Sequence, residues 1–222
     1  MSKSIWTFLM MLTAVLPVTS YSQSKTSNAK NMESRKTLVV FFSRTGENYA
    51  VGNIKKGNTH IIAEMIAEET DGALFQVEPM KAYPEDYKKC TEVAKQEVES
   101  KARPAIKGDI AVEDYDVIYI GYPNWWGDMP MPVCTFIEKH NWQGKTVIPF
   151  CTHEGSGLSD TENKPKKACE GATVLKGMAI RGTTAQKSQE QARKTVISWL
   201  ANHSNPTIYL KIPSCICLIE KS

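Results

Sequence analysis

The chain has 222 residues, of which 41% are hydrophobic, so it can bury one good core and a single domain is the expectation. Its formal net charge is only +3, with acidic and basic residues interspersed. No basic stripe points to a nucleic-acid partner and no acidic tail is present.

The amino end differs from the rest. Lys3 precedes an apolar run from Ile5 to Leu16, and Ser20-Tyr21-Ser22 offers small residues around a cleavage point before Gln23. That is a charged region, a short apolar region and a processing site, and the run is shorter than the ~20 residues a spanning helix needs. Residues 1–22 therefore read as a cleavable signal peptide, and no cysteine nearby offers a point of lipid attachment. The mature protein is expected to be exported, periplasmic or secreted, with no stable membrane anchor. Residues 23–36, rich in Ser, Asn, Lys and Gln, read as a flexible linker.

Thr37-Leu38-Val39-Val40-Phe41-Phe42 is the first buried strand, running into Ser43-Arg44-Thr45-Gly46. After a polar segment, Gly57-Asn58-Thr59 opens a helix marked by Ile61, Ile62, Met65 and Ile66. Asn58 or Thr59 is expected to cap it through a side-chain oxygen. Residues 73–77 form a second strand, and a polar helix follows over about 85–101, opened by Pro84. The apolar run 116–120 reads as a covered central strand that breaks at Gly121. Beyond it come Tyr122-Pro123-Asn124-Trp125-Trp126-Gly127, a polar loop with two adjacent tryptophans. A helix over 132–139, a strand over 146–151, a loop from Thr152 to Gly157 and a weak helix up to about Cys169 come next. A fifth strand over 173–179 and a last helix over 188–201 complete the unit. Residues 204–222 fit no part of this scheme, and either an extra edge strand or a frayed tail is open.

Strands alternating with helices give an α/β fold with a parallel sheet covered on both faces and right-handed crossovers. The domain is expected to span 37–203. Of the six cysteines, Cys90, Cys134, Cys151 and Cys169 are scattered among predicted elements, which suits small core residues better than a disulfide framework. Cys215 and Cys217 are too close for a comfortable pair with each other, and the pairing stays open. His60, His140 and His203 fall in helices or at their ends and read as surface residues.

In such a sheet ligands sit outside the carboxyl ends of the strands. The first loop offers hydroxyls and amides at a helix start, which is an anion site unless it is only an ordinary capped helix. It lacks the Gly-x-x-x-x-Gly-Lys-Ser/Thr pattern of a nucleoside triphosphate site. The second loop offers two flat rings, although tryptophans commonly just fill a core. The third, Thr152-His153-Glu154-Gly155-Ser156-Gly157, has glycines that allow close backbone approach. An anion cradle beside an aromatic clamp fits a mononucleotide. Other chemistries of this architecture find no support. Phe41-Phe42-Ser43 supplies no acidic residues for a receiver domain, and the Cys151 loop has no arginine for a phosphatase. Glu154-Gly155-Ser156-Gly157 lacks nucleophile-elbow spacing, and no catalytic or metal-binding residue is expected.

Phe42-Ser43-Arg44 with Gly57-Asn58-Thr59 resembles the phosphate loop of flavodoxins. Residues 121–130 and 150–157 resemble the two flavin-ring loops of the same family, and the likeness runs from about Thr37 to Asn202. The resemblance implies an open, doubly wound five-stranded sheet of order 2-1-3-4-5 in three α/β/α layers, an order for which flavodoxin itself is the standard example. It also implies flavin mononucleotide (FMN) at the switch between strands one and three. The implied phosphate ligands are Ser43, Arg44, Gly57, Asn58 and Thr59, with Thr45 and Gly46 competing for the role. The ring would be held by Pro123, Asn124, Trp125, Trp126 and Gly127, and by Thr152 to Gly157, including Ser156. One departure is clear: residues 45–56 interrupt a loop that is compact in the family, and they would cover the cofactor or meet a partner. The favoured function is an electron carrier, a monomer serving an unidentified redox protein. The alternatives are an NAD(P)H:quinone-type oxidoreductase and a nonredox FMN carrier.

Overall fold

The computed structural model describes residues 35–203. The expected signal peptide, nearly all of the expected linker, the stretch after His203, and Cys215 and Cys217 lie outside them. No helix among the described residues is long and apolar enough to cross a membrane.

In chain order the elements are β1 (Thr37–Phe41), β2 (Gly46–Asn48), β3 (Gly52–Ile54), α1 (Asn58–Thr70), β4 (Ala73–Gln76), β5 (Glu78–Pro79), α2 (Tyr87–Ser100) and β6 (Ile106–Lys107). They continue with β7 (Val117–Pro123), α3 (Met131–Lys139), β8 (Thr146–His153), α4 (Asn163–Ala168), β9 (Thr173–Val174), β10 (Met178–Arg181), α5 (Gly182–Lys187) and α6 (Gln189–Asn202). The large sheet has the order β4-β1-β7-β8-β10, and β9 pairs with the start of β8. Every pairing in it is parallel. Counted by its main strands, this is the expected 2-1-3-4-5 arrangement.

Side chains alternate across this sheet with a period of two, and both faces are buried. Val39, Phe41, Val117, Tyr119, Ile148 and Phe150 pack with α1, α5 and α6. Leu38, Val40, Ile118, Ile120, Tyr122 and Val147 face the other way, onto Val133, Phe136 and Ile137 of α3. The result is three layers with a core on each side of the sheet.

Three strands depart from the sequence expectation. β8 runs past Cys151 to His153, so Thr152 and His153 of the expected third loop pair with β10. β7 does not break at Gly121 but runs on to Pro123, with Gly121 paired to Phe41 on one side and Phe150 on the other. Gly121 is there to make room, since a Cβ would lie 2.0 Å from the Phe150 ring. Pro123, without an N–H, is where the ladder ends. The fifth strand is split into β9 and β10 with residues 175–177 between. Pro149 lies in β8 opposite the gap, and its missing N–H removes a rung on that side. Gly177 passes so close that a Cβ would meet the Pro149 carbonyl oxygen at 2.9 Å.

The cap of α1 is a further correction. Neither Asn58 nor Thr59 caps it; Gly57 is the N-cap residue and makes no side-chain cap bond. Instead the His60 amide donates to Ser43 Oγ, 3.1 Å away, so a residue of the preceding loop satisfies the helix start. His140 is also turned inward, its ring tilted on Phe136 at 4.5 Å and its side chain only 7% exposed. Cys90, Cys134, Cys151 and Cys169 are free.

Candidate functional site

Because β1, β7 and β8 are parallel neighbours, the loops after them rise from one edge of the sheet. In the first loop the inserted segment is a hairpin, β2 paired antiparallel with β3. The hairpin leaves the loop and returns to it, and the two ends are pinched together at Gly57. A Cβ there would lie 2.1 Å from Ser43 Oγ and 2.6 Å from the Arg44 carbonyl oxygen. The loop around the α1 terminus therefore closes as though the hairpin were absent. Helix geometry leaves the amides of Asn58 and Thr59 without intrahelical partners, and they have none among the described residues. Ser43 keeps a hydroxyl proton to donate, and Thr45 is exposed.

Arg44 is occupied elsewhere. Its guanidinium donates to the carbonyls of Glu47, Pro84 (2.6 Å) and Glu85. Thr59 is buried and shares a 2.7 Å hydroxyl hydrogen bond with Thr152, joining α1 to the end of β8. The Asn58 side chain accepts from Gln186 Nε2 at 2.9 Å.

The second loop is a tight turn. Trp125 and Asp128 exchange two backbone hydrogen bonds of 2.9 Å, and Trp126 and Gly127 both have positive φ, +56° and +76°. Such a turn favours Asn or Gly at its centre, so a tryptophan held there bears local strain. Trp126 is 57% exposed, with its indole N–H donating to the Thr91 carbonyl of α2 at 3.0 Å and Lys95 5.6 Å from its ring. Trp125 does the opposite: its ring packs edge-on against Phe42 and Tyr83, at 5.3 and 5.0 Å. Asn124 ties the second loop to the third. Its amide side chain donates to the Gly157 carbonyl and to Ser159 Oγ, both at 3.0 Å, and accepts from the Gly127 amide.

In the third loop His153 is the organiser. Its Nδ1 accepts the amides of Gly155 (2.8 Å) and Gly157 (3.0 Å), which fixes the proton on Nε2. Burial, with Arg181 nearby, lowers its pKa, while Glu154 pulls the other way, so the ring is neutral. The Glu154 carboxylate accepts the Thr183 amide (2.6 Å) and hydroxyl (3.1 Å) at the start of α5. Asp128 is buried, bonded by the Met129 amide and ion-paired with Lys164. Neither carboxylate is left as a free charge. Cys151 is fully buried, and burial pushes its thiol up to about 12.

Between these loops lies a cleft of about 390 Å³. It gathers Arg44, Asn58, Pro123, Asn124, Trp125, Trp126, Thr152, His153, Glu154 and Ser156 of the expected residues. Ser43, Thr45, Gly57, Thr59, Gly127, Gly155 and Gly157 shape the loops without lining it. Asn48 and Tyr49 of the hairpin also line it, as one of the two roles expected for residues 45–56, whereas the sequence reading misses the α2 wall of Tyr87, Cys90, Thr91 and Ala94. The α2 residues recur at helical spacing on one face, the signal that identifies them once the helix is known to face the cleft.

Comparison with known proteins agrees with this arrangement. The family model described as flavodoxin matches residues 36–196. A solved protein from Bacteroides uniformis ATCC 8492, described as a flavoprotein, is 33% identical over 75% of this chain and 98% of its own, with a TM-score of 0.59. A second, from Bacteroides eggerthii DSM 20697, is 30% identical over 76% of this chain and 97% of its own, with a TM-score of 0.60. A flavoprotein from Lactobacillus acidophilus NCFM, solved in complex with FMN, is 24% identical over 70% of this chain and 99% of its own, with a TM-score of 0.52. No match is found among curated proteins. The matched span holds the whole parallel sheet and the three loops that frame the cleft, and the protein belongs to the flavodoxin family.

Proposed function

We propose that the cleft holds FMN and that the chain is an electron carrier. The observation that carries this reading is the pairing of free donors with flat rings at one sheet edge. The unpartnered amides of Asn58 and Thr59 stand at the start of the 13-residue α1, beside a cleft lined by Trp125 and Trp126. A helix start favours an anion, and indole faces favour a flat electron-poor ring. The donor set fits a phosphate: Ser43 and Thr45 would add hydroxyls, while Arg44 would stay on its carbonyls. Bound FMN would supply the one- and two-electron chemistry, with the protein setting its potential. The FMN complex of the Lactobacillus relative adds support.

Titrating the purified chain with FMN and with riboflavin tests the assignment. FMN should bind, quenched in fluorescence, and riboflavin should bind at least about tenfold more weakly for the loss of charge-assisted hydrogen bonds. Equal affinities would sink the phosphate site. A potentiometric titration then separates a redox protein from a nonredox carrier.

One observation favours a second reading, an FMN-dependent NAD(P)H:quinone oxidoreductase. Of the two tryptophans only Trp126 stands exposed at the cleft, because Trp125 is packed edge-on, so the rings need not cover both faces of a flavin. Turnover of NAD(P)H with a quinone would select this reading. We also infer export from the residue 1–22 pattern, with an unidentified redox protein as partner and no nucleic acid or membrane anchor. A mature amino terminus near Gln23, found by mass spectrometry of fractionated cells, is the expected result.

A further inference from the structure

The hairpin is additional to the anion loop and is held rigidly. Arg44 braces it through carbonyls on both sides, Glu47 of the hairpin and Pro84 and Glu85 of the segment before α2. The Glu47 amide donates to the Glu85 carbonyl at 3.2 Å, and the Glu47 carboxylate accepts the Tyr87 amide at 2.9 Å. The braced hairpin brings Asn48 and Tyr49 to the cleft, and Tyr49 is 63% exposed there. Its ring stacks on Tyr87, also 37% exposed and also lining the cleft, at 6.0 Å with 29° between planes. A large apolar ring fixed in the open marks a contact surface. The third loop, residues 152–157, carries no Phe, Tyr or Trp to serve the cleft from its own side.

Resting on the reading that the cleft takes FMN, we infer that Tyr49 and Tyr87 form an aromatic wall for the flavin ring, and that Arg44 is a positioning residue for that wall. The insertion would then be a retention element. It supplies aromatic contacts that the third loop of this chain lacks, and leaves the phosphate to the α1 terminus. Arg44 thereby acts on the ring end of the ligand through Tyr49, although it sits beside the phosphate loop.

Dissociation rates of FMN and riboflavin from the wild type, Tyr49→Ala, Tyr49→Phe and Arg44→Gln separate the possibilities, with far-UV dichroism as the folding control. Tyr49→Ala should release both ligands about three- to tenfold faster, the worth of one aromatic stack, and Tyr49→Phe should restore the wild-type rate. Arg44→Gln should speed both ligands by a similar factor, because a brace does not distinguish a phosphate. Loss of FMN alone, with riboflavin unaffected, would show Arg44 on the phosphate and overturn its positioning role. Unchanged release from Tyr49→Ala, with wild type binding FMN normally, would overturn the aromatic wall and leave the exposed tyrosines to a protein partner. A wild type that binds no FMN would remove the underlying reading as well.

Discussion

A hydroxyl as deeply buried as that of Thr59, at 1% exposure, has to find a partner, and it finds Thr152 2.7 Å away. Thr59→Val keeps the shape and leaves the Thr152 hydroxyl alone, a loss of about 1–3 kcal/mol. The double variant with Thr152→Val should recover part of that in urea unfolding, because neither hydroxyl is then orphaned. A double variant as weak as the sum of the singles would show that the hydrogen bond is not the cause. Trp126 poses the reverse case, a residue that the fold would not choose. Its φ of +56° disfavours a bulky side chain, while its indole gains the Thr91 carbonyl and Lys95. Asparagine relaxes the turn and loses those contacts, terms of similar size, so Trp126→Asn should hold stability within about 1 kcal/mol. FMN affinity should nevertheless fall, since strain kept at a cleft serves the ligand. Unchanged affinity would remove Trp126 from the site. Cys151 has no such role. With its thiol pushed up to about 12 by burial, it should resist thiol reagents until the chain unfolds, and fast labelling of the native protein at that position would contradict this.

At the level of elements, Gly57 shows how a loop tolerates an insertion. Its hydrogen sits where a Cβ would be 2.1 Å from Ser43 Oγ and 2.6 Å from a backbone oxygen. The backbone contact cannot yield by rotating a side chain. Gly57→Ala should therefore spread the loop, weaken FMN and spare riboflavin, a difference that calorimetric titration reads. Losing both ligands equally would mean that the whole cleft had collapsed. The same scale explains what is legible in the sequence. The buried strands announce themselves as apolar runs of β-branched and aromatic residues, and their alternation with helices dictates the parallel sheet. Glycine in Gly121 and proline in Pro149 mislead in opposite directions. Gly121 looks like a strand end but is a niche for Phe150, and Pro149 looks compatible with a covered strand but divides the strand beside it. The helix cap is misread because Ser43, on the far side of the hairpin in the chain, supplies the oxygen across space. The sequence leaves residues 45–56 open between covering the cofactor and meeting a partner, and the bracing that holds the hairpin is illegible for a related reason. Arg44 braces it through backbone carbonyls, which carry no sequence signature, and an arginine beside a phosphate loop reads first as an anion ligand.

Over the whole molecule, the three loops act as one site only because side chains tie them together, and one of those ties titrates. Thr59 joins the first loop to β8, Asn124 joins the second to the third, and His153 holds the third closed on itself. No pattern of residue types announces these roles, since each type is also an ordinary ligand for a flavin. His153 is neutral because burial and Arg181 lower its pKa more than Glu154 raises it. The unfolded chain, with a histidine near about 6.5, therefore binds more protons than the folded one just below that value. Stability from this group is full above about pH 6.5 and is lost as the pH falls toward the lowered folded value. A protonated ring also brings an N–H to Nδ1, against the amides of Gly155 and Gly157 that it accepts when neutral. The loop should then open before the sheet does, because protonation removes the two amide bonds that His153 accepts and leaves only a few surface hydrogen bonds to hold the loop, while a covered parallel core holds the sheet. FMN release should accelerate as the pH is lowered from about 7.5 to about 5, across the ordinary histidine value. FMN brings its own titration, since a phosphate monoester has a second pKa near about 6. Riboflavin has no phosphate, so the part of the acceleration due to His153 is the part that both ligands share. His153→Gln retains an acceptor that does not titrate and should flatten that shared part while leaving the phosphate-dependent part of FMN release in place. A shared acceleration that persists in His153→Gln would mean that another group governs the opening of the cleft.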